Sequence, residues 1–198
     1  MHTLKSPATA RVRFGRAASL LLALCAGLCV AAPAAAQKRE HLTPEEIELV
    51  RDNQALDART KVFIAAAERR LLAVTNPAEA AKNAPKEKEK WGEVQGTRTQ
   101  LFYDISKILD EAVVNVDDVA EHNPESPLLR KSLYMLSEAT ARMQPQLAKL
   151  REGVQSEAEA DQLDRALETA REITDAAREK GVTAEDLKAK AKAAKKND

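Results

Sequence analysis

Two stretches of the chain carry apolar residues at helical spacing. Phe102, Ile105, Leu109, Ala112, Val116 and Val119 recur at intervals of 3, 4, 3, 4 and 3. Leu129, Leu133, Leu136, Thr140, Met143, Leu147 and Leu150 recur at 4, 3, 4, 3, 4 and 3. Positions three and four apart share one side of an α-helix, so each stretch presents an apolar seam that a neighbouring helix must cover. Between the seams, His122-Asn123-Pro124-Glu125-Ser126-Pro127 ends one helix and starts the next, with Ser126 as cap and Pro127 at the first helical position. A link that short predicts two antiparallel neighbours. Pro145 lies off the second seam and predicts a bend rather than a break.

The same reading predicts two flanking helices. Thr43-Pro44-Glu45-Glu46 has the pattern of a capping box and opens a first helix expected to run over residues 43–74, ending before Asn76-Pro77. Its first half is thinly apolar, since Arg51-Asp52-Asn53-Gln54 is polar all round, and it is expected to project or to pack weakly. Residues 75–97 contain Pro77, Pro85, Gly92 and Gly96 and read as the least regular part, with room for a short helix over residues 78–82. Ser156 with Glu159 opens a fourth helix along Leu163, Ala166, Ala170, Ile173 and Ala177, which closes before Gly181. No segment alternates apolar and polar residues between turn signals, so no sheet is expected. The predicted fold is all-α: an up-and-down bundle of about four helices.

The ends of the chain change this picture. Lys5, Arg11, Arg13 and Arg16 precede a small and apolar run over residues 17–32, followed by Pro33 and Ala34-Ala35-Ala36-Gln37. Basic, apolar and Ala-x-Ala segments in that order are the parts of a secretory signal peptide. The apolar run, about 16 residues, is short of the ~20 that span a bilayer. The expected organisation is a cleavable signal helix over residues 1–36, a helical domain over 37–180 and a lysine-rich helix or tail over 181–198. Export to a periplasmic or extracellular compartment follows, with no transmembrane segment once the leader is removed.

Both cysteines, Cys25 and Cys29, fall in the leader, so the remainder is held together without disulfides. Each cysteine follows a leucine rather than a small residue, which fits lipidation poorly. The whole chain has 31 basic and 31 acidic residues; four basic and no acidic ones lie in the leader, leaving 27 and 31, a net charge of −4. That balance argues against a nucleic-acid binder, which needs a basic surface to displace counterions. Lys188, Lys190, Lys192, Lys195 and Lys196 concentrate positive charge at the end of the chain. A solvated terminus is the simplest reading of that run; contact with anionic lipid, with an acidic partner or with the acidic second helix is the alternative.

Candidate chemistry is sparse. Asp104, Glu111 and Asp118 recur every seven residues on the second helix, with Asp110, Asp117 and Glu121 beside them and His122 four residues after Asp118. Carboxylates with an imidazole are the ligands a divalent cation uses, and Asp118 with His122 is the nearest approach to such a site. A solvated acidic face is the plainer reading, and the Glu-x-x-His spacing of carboxylate-bridged bundle metal sites is missing. His41 has no evident partner. Trp91 is either an interface anchor or a pin that holds its loop on the bundle beside Tyr103 or Tyr134. There is no Gly-x-Ser-x-Gly turn, no glycine-rich phosphate loop and no thiol in the remainder, so no catalytic residue, metal centre or cofactor is expected.

The expected function is therefore an exported, non-enzymatic binding or structural module of the cell envelope, with an unidentified protein or envelope component as partner. The alternative is a bundle that binds a cation or small ligand on the acidic helix face. Self-association stays open, because a sustained seam closes within a chain or between chains.

Overall fold

The computed structural model describes residues 39–185. The expected leader and the lysine-rich run from residue 186 lie outside them. The described residues form six α-helices and no strand: α1 (Pro44–Asp52), α2 (Leu56–Thr75), α3 (Pro77–Trp91), α4 (Arg98–His122), α5 (Pro127–Lys149) and α6 (Glu157–Glu179), with a 3₁₀ turn (Leu150–Gly153) between the last two. The all-α class holds, and the count exceeds the four expected for two local reasons.

First, the helix expected over residues 43–74 is two. Its polar middle has nothing to bury, and the chain turns there instead. Asn53 donates through its side-chain amide to the Leu49 carbonyl, and Arg59 Nε donates to the Asn53 carbonyl. Both bonds satisfy backbone acceptors left at a helix end. Second, residues 77–91 form a 15-residue helix rather than a loop. Asn76 caps it, Pro77 occupies its first turn, and alanine, lysine and glutamate fill it, so propensity outweighs the cost of Pro85. None of its residues is buried, which is why no apolar stripe announced it.

α2, α4, α5 and α6 enclose the core, with Phe63, Phe102, Ile105, Leu109, Leu136, Met143, Leu147 and Leu163 almost wholly withdrawn from solvent. Among the described residues the buried apolar side chains run from Leu42 to Val182. Around the bundle the order is α2, α4, α6, α5 and back to α2. α4 and α5 touch little and stand diagonally opposed, although the link between them is short. The expected neighbour pair is therefore corrected. The seams of α4 and α5 both point to the shared core. The close lateral contacts go to α2 and α6, whose buried alanines (Ala66 and Ala67; Ala166, Ala170 and Ala177) let backbones approach.

Side-chain bonds fix the directions. Arg59 Nη1 donates to Asn115 Oδ1 at 2.8 Å and Arg98 Nη1 to the Val74 carbonyl at 3.5 Å, so α2 and α4 are antiparallel. Arg98 pairs with Glu159 at 2.7 Å and Thr169 donates to Asp110 at 3.2 Å, so α4 and α6 run parallel. Gln144 donates to the Ala170 carbonyl at 3.0 Å across the antiparallel α5 and α6. α5 continues through Pro145 to Lys149.

The caps are mostly those expected. Thr43 with Glu46 completes the box at α1, and Ser156 Oγ accepts from Glu159 N–H at α6. Glu159 does not close a reciprocal box: its carboxylate takes the Gln155 N–H and the Arg98 guanidinium instead. α6 ends in a Schellman-type turn, with Gly181 at φ +58° and Val182 N–H bonded to the Ala177 carbonyl at 2.8 Å. Val182 folds back into a buried position.

Candidate functional site

The acidic side of α4 does not form a single face. Asp104 is buried. Asp110 pairs with Lys107 at 2.9 Å and accepts from Thr169. Glu111 meets His41 Nε2 at 2.7 Å, a contact between residues seventy positions apart, so His41 has a partner after all. Asp117 faces a cleft described below. A spacing of seven drifts around a straight helix, and packing against α2 and α6 divides the row among different surroundings.

The structure does bring Asp118 and His122 together. His122 Nδ1 lies 2.8 Å from the Asp118 carbonyl and 3.3 Å from Asp118 Oδ1. Both side chains are about 70% exposed, and among the described residues no group of three His, Cys, Asp or Glu converges as a cation would need. The pair is a solvent-facing contact at the end of α4.

Trp91 pins, but through partners other than the tyrosines. Arg69 and Lys90 stack on its ring at 5.7 and 5.2 Å, and its carbonyl accepts from Thr43 Oγ1 at 2.6 Å and Arg69 Nη1 at 3.1 Å. Beneath it, Glu46 is fully buried and receives Arg69 and Arg70. Arg69 also reaches Glu87 and the Gly92 carbonyl, and Arg70 reaches the His41 carbonyl. One carboxylate thus fastens α1, α2 and the end of α3. Sequence reasoning saw Glu46 only as a capping residue.

A concavity is lined by α4, α5 and α6. It occupies about 1240 Å³ between residues 110–120 of α4 and 169–180 of α6, with the start of α5 and the α4–α5 link as further walls. The Thr169–Asp110 hydrogen bond ties α4 to α6 where the cleft begins. Its walls are mainly apolar: Val113, Val114, Leu129, Leu133, Ile173 and Val182 are among them. Val114 is 63% exposed and is the one exposed large apolar side chain among the described residues. Leu129 and Leu133, the first two members of the second seam, are only half-buried, whereas Leu136, Met143 and Leu147 of the same seam are enclosed. Leu129 and Leu133 lie in the first two turns of α5, next to the α4–α5 link that walls the cleft. The sequence announced the stripe but not where its cover stops.

Charges ring the cleft. Asp117, Glu125 and Glu172 line it and have no ion-pair partner among the described residues. Lys131 is committed to Asp57, and Arg130 donates to the Lys180 and Gly181 carbonyls. Arg130, Lys131 and Lys180 are the cations of the lining, against the four carboxylates Asp110, Asp117, Glu125 and Glu172. On the outer side of α5, the Tyr134 hydroxyl is raised above its ordinary value of 10.0, first by loss of hydration and then by the carboxylates of Glu138 and Glu185. No helix among the described residues is long and apolar enough to cross a membrane. No protein-family model, curated protein or solved structure matches this chain.

Proposed function

We propose that the chain is an exported, non-enzymatic binding module and that the α4–α6 cleft is its binding surface. The observation that carries this reading is the half-buried start of the second seam. Leu129 and Leu133 occupy core-type positions yet line an open cleft of about 1240 Å³ beside an exposed Val114. Apolar surface left uncovered in this way is what an interaction site retains. Export rests on the leader pattern, and the non-enzymatic reading rests on the lack of a catalytic motif in the sequence.

The test is titration of the chain beginning at Gln37 with the uncharged dye N-phenyl-1-naphthylamine. Saturable 1:1 fluorescence enhancement is expected, with affinity reduced about tenfold by Val114→Glu, the loss of roughly 1.4 kcal/mol of apolar contact. Because Val114 is exposed, the variant keeps its thermal midpoint. Binding that never saturates, or that ignores the substitution, contradicts the reading. For export, N-terminal sequencing of the secreted chain is expected to begin at Gln37; retention with the leader intact contradicts it.

A further inference from the structure

We infer that the occupant of the cleft is a basic amphipathic helix of a partner polypeptide; this rests on the proposal that the cleft is a binding surface. Three features of the cleft specify the occupant. The first is length. From residue 110 to 120 a helix rises about 15 Å, close to three turns, and α6 lines a comparable stretch. The second is lining. α4 and α6 run parallel here; Val113 and Val114 line the cleft from α4, the buried Ile173 from α6, and Leu129 and Leu133 from the first turns of α5. Two facing helices over an apolar strip form the groove into which a third helix lays residues i, i+3 or i+4, and i+7.

The third feature is charge. The lining carries Asp110, Asp117, Glu125 and Glu172 against Arg130, Lys131 and Lys180, and Asp117, Glu125 and Glu172 are in no ion pair among the described residues, so carboxylates outnumber cations and the rim is negative. An apolar strip inside a negative rim is complementary to a helix with an apolar face and lysine or arginine on its flanks. A fatty-acid carboxylate meets the wrong sign at the same rim. The chain's own lysine-rich segment after residue 186 has the right charge, but its apolar content is Leu187 and alanines, too little to cover five large apolar side chains.

The experiment uses three fluorescein-labelled 14-residue helices with leucine at i, i+3, i+7 and i+10 and lysine, glutamate or glutamine elsewhere, titrated against the chain beginning at Gln37. The lysine peptide is expected to bind at least ~10-fold more tightly than the glutamate peptide, with the glutamine peptide between them and the preference shrinking as salt rises. Asp117→Lys combined with Glu172→Lys is expected to invert the order, which separates a designed rim from general stickiness and also shows that the variant is folded. Absence of a lysine preference, or failure to invert, overturns the inference. If N-phenyl-1-naphthylamine saturates while none of the peptides does, the cleft stands and the helix is wrong. If neither dye nor peptide binds, both proposals fall. If the lysine peptide binds only after residues 186–198 are deleted, the chain's own segment is the occupant and the partner helix is rejected.

Discussion

Glu46 and Arg70 form an ion pair in which neither side chain is more than 3% exposed, and Arg69 reaches the same Glu46 oxygen at 2.6 Å. The carboxylate also accepts the Thr43 N–H at 2.9 Å. Both cations share Glu46; Arg69 has a second anion in Glu87 at 3.0 Å, whereas Arg70 has no other ion-pair partner among the described residues and its Nε makes no hydrogen bond. Removing the anion is therefore worse than removing either cation. Glu46→Ala is expected to destabilise the chain by about 3–5 kcal/mol in urea unfolding, and Arg70→Met by clearly less, since Arg69 still balances Glu46. Equal losses for the two variants would contradict this ordering.

The glycines provide a matched pair. Gly92 and Gly181 both have positive φ, +69° and +58°. A Cβ on Gly181 meets open space, whereas one on Gly92 falls within 2.8–2.9 Å of Thr43 and onto the Glu45 carboxylate. Gly181→Ala is expected to cost about 1 kcal/mol, the left-handed backbone alone. Gly92→Ala should cost at least twice as much, because α1 must also move. Comparison of denaturation midpoints decides the order; a Gly181 variant as damaged as the Gly92 variant would contradict it.

Lys131 holds the Asp57 carboxyl below its ordinary 3.8, chiefly through their hydrogen bond. A depressed carboxylate pKa stabilises the fold above the unfolded value, and that contribution is lost as pH falls through the folded one. Lys131 is half-exposed, so the effect is below about 1 kcal/mol. Asp57→Asn is expected to be less stable than the parent at pH 6, with the difference shrinking as the pH falls below 3.8. A difference that persists unchanged at acid pH would assign the loss to packing.

Helical class, the two long seams and most caps were legible because they are written in local periodicity and cap chemistry. What was not legible depends on contacts distant in sequence. Nothing near His41 points to Glu111, and Glu46 looks like any capping glutamate until α2 supplies two arginines. The sequence anticipates α3 only as a short helix over residues 78–82, because it buries nothing and so shows no stripe along its full length. The cleft lies in a further category: Leu129 and Leu133 read as seam residues like Leu136, and their half-burial depends on how the end of the bundle packs, which the seam itself does not encode.

Methyl-resolved NMR of the chain beginning at Gln37, titrated with N-phenyl-1-naphthylamine, tests the central claim most directly. Val113, Val114, Leu129, Leu133, Ile173 and Val182 line the cleft. Their methyl signals are expected to shift together along one saturating curve, while Leu147 and Leu163 in the closed core stay still. Shifts centred elsewhere, or none at saturating dye, would contradict the cleft as a binding surface.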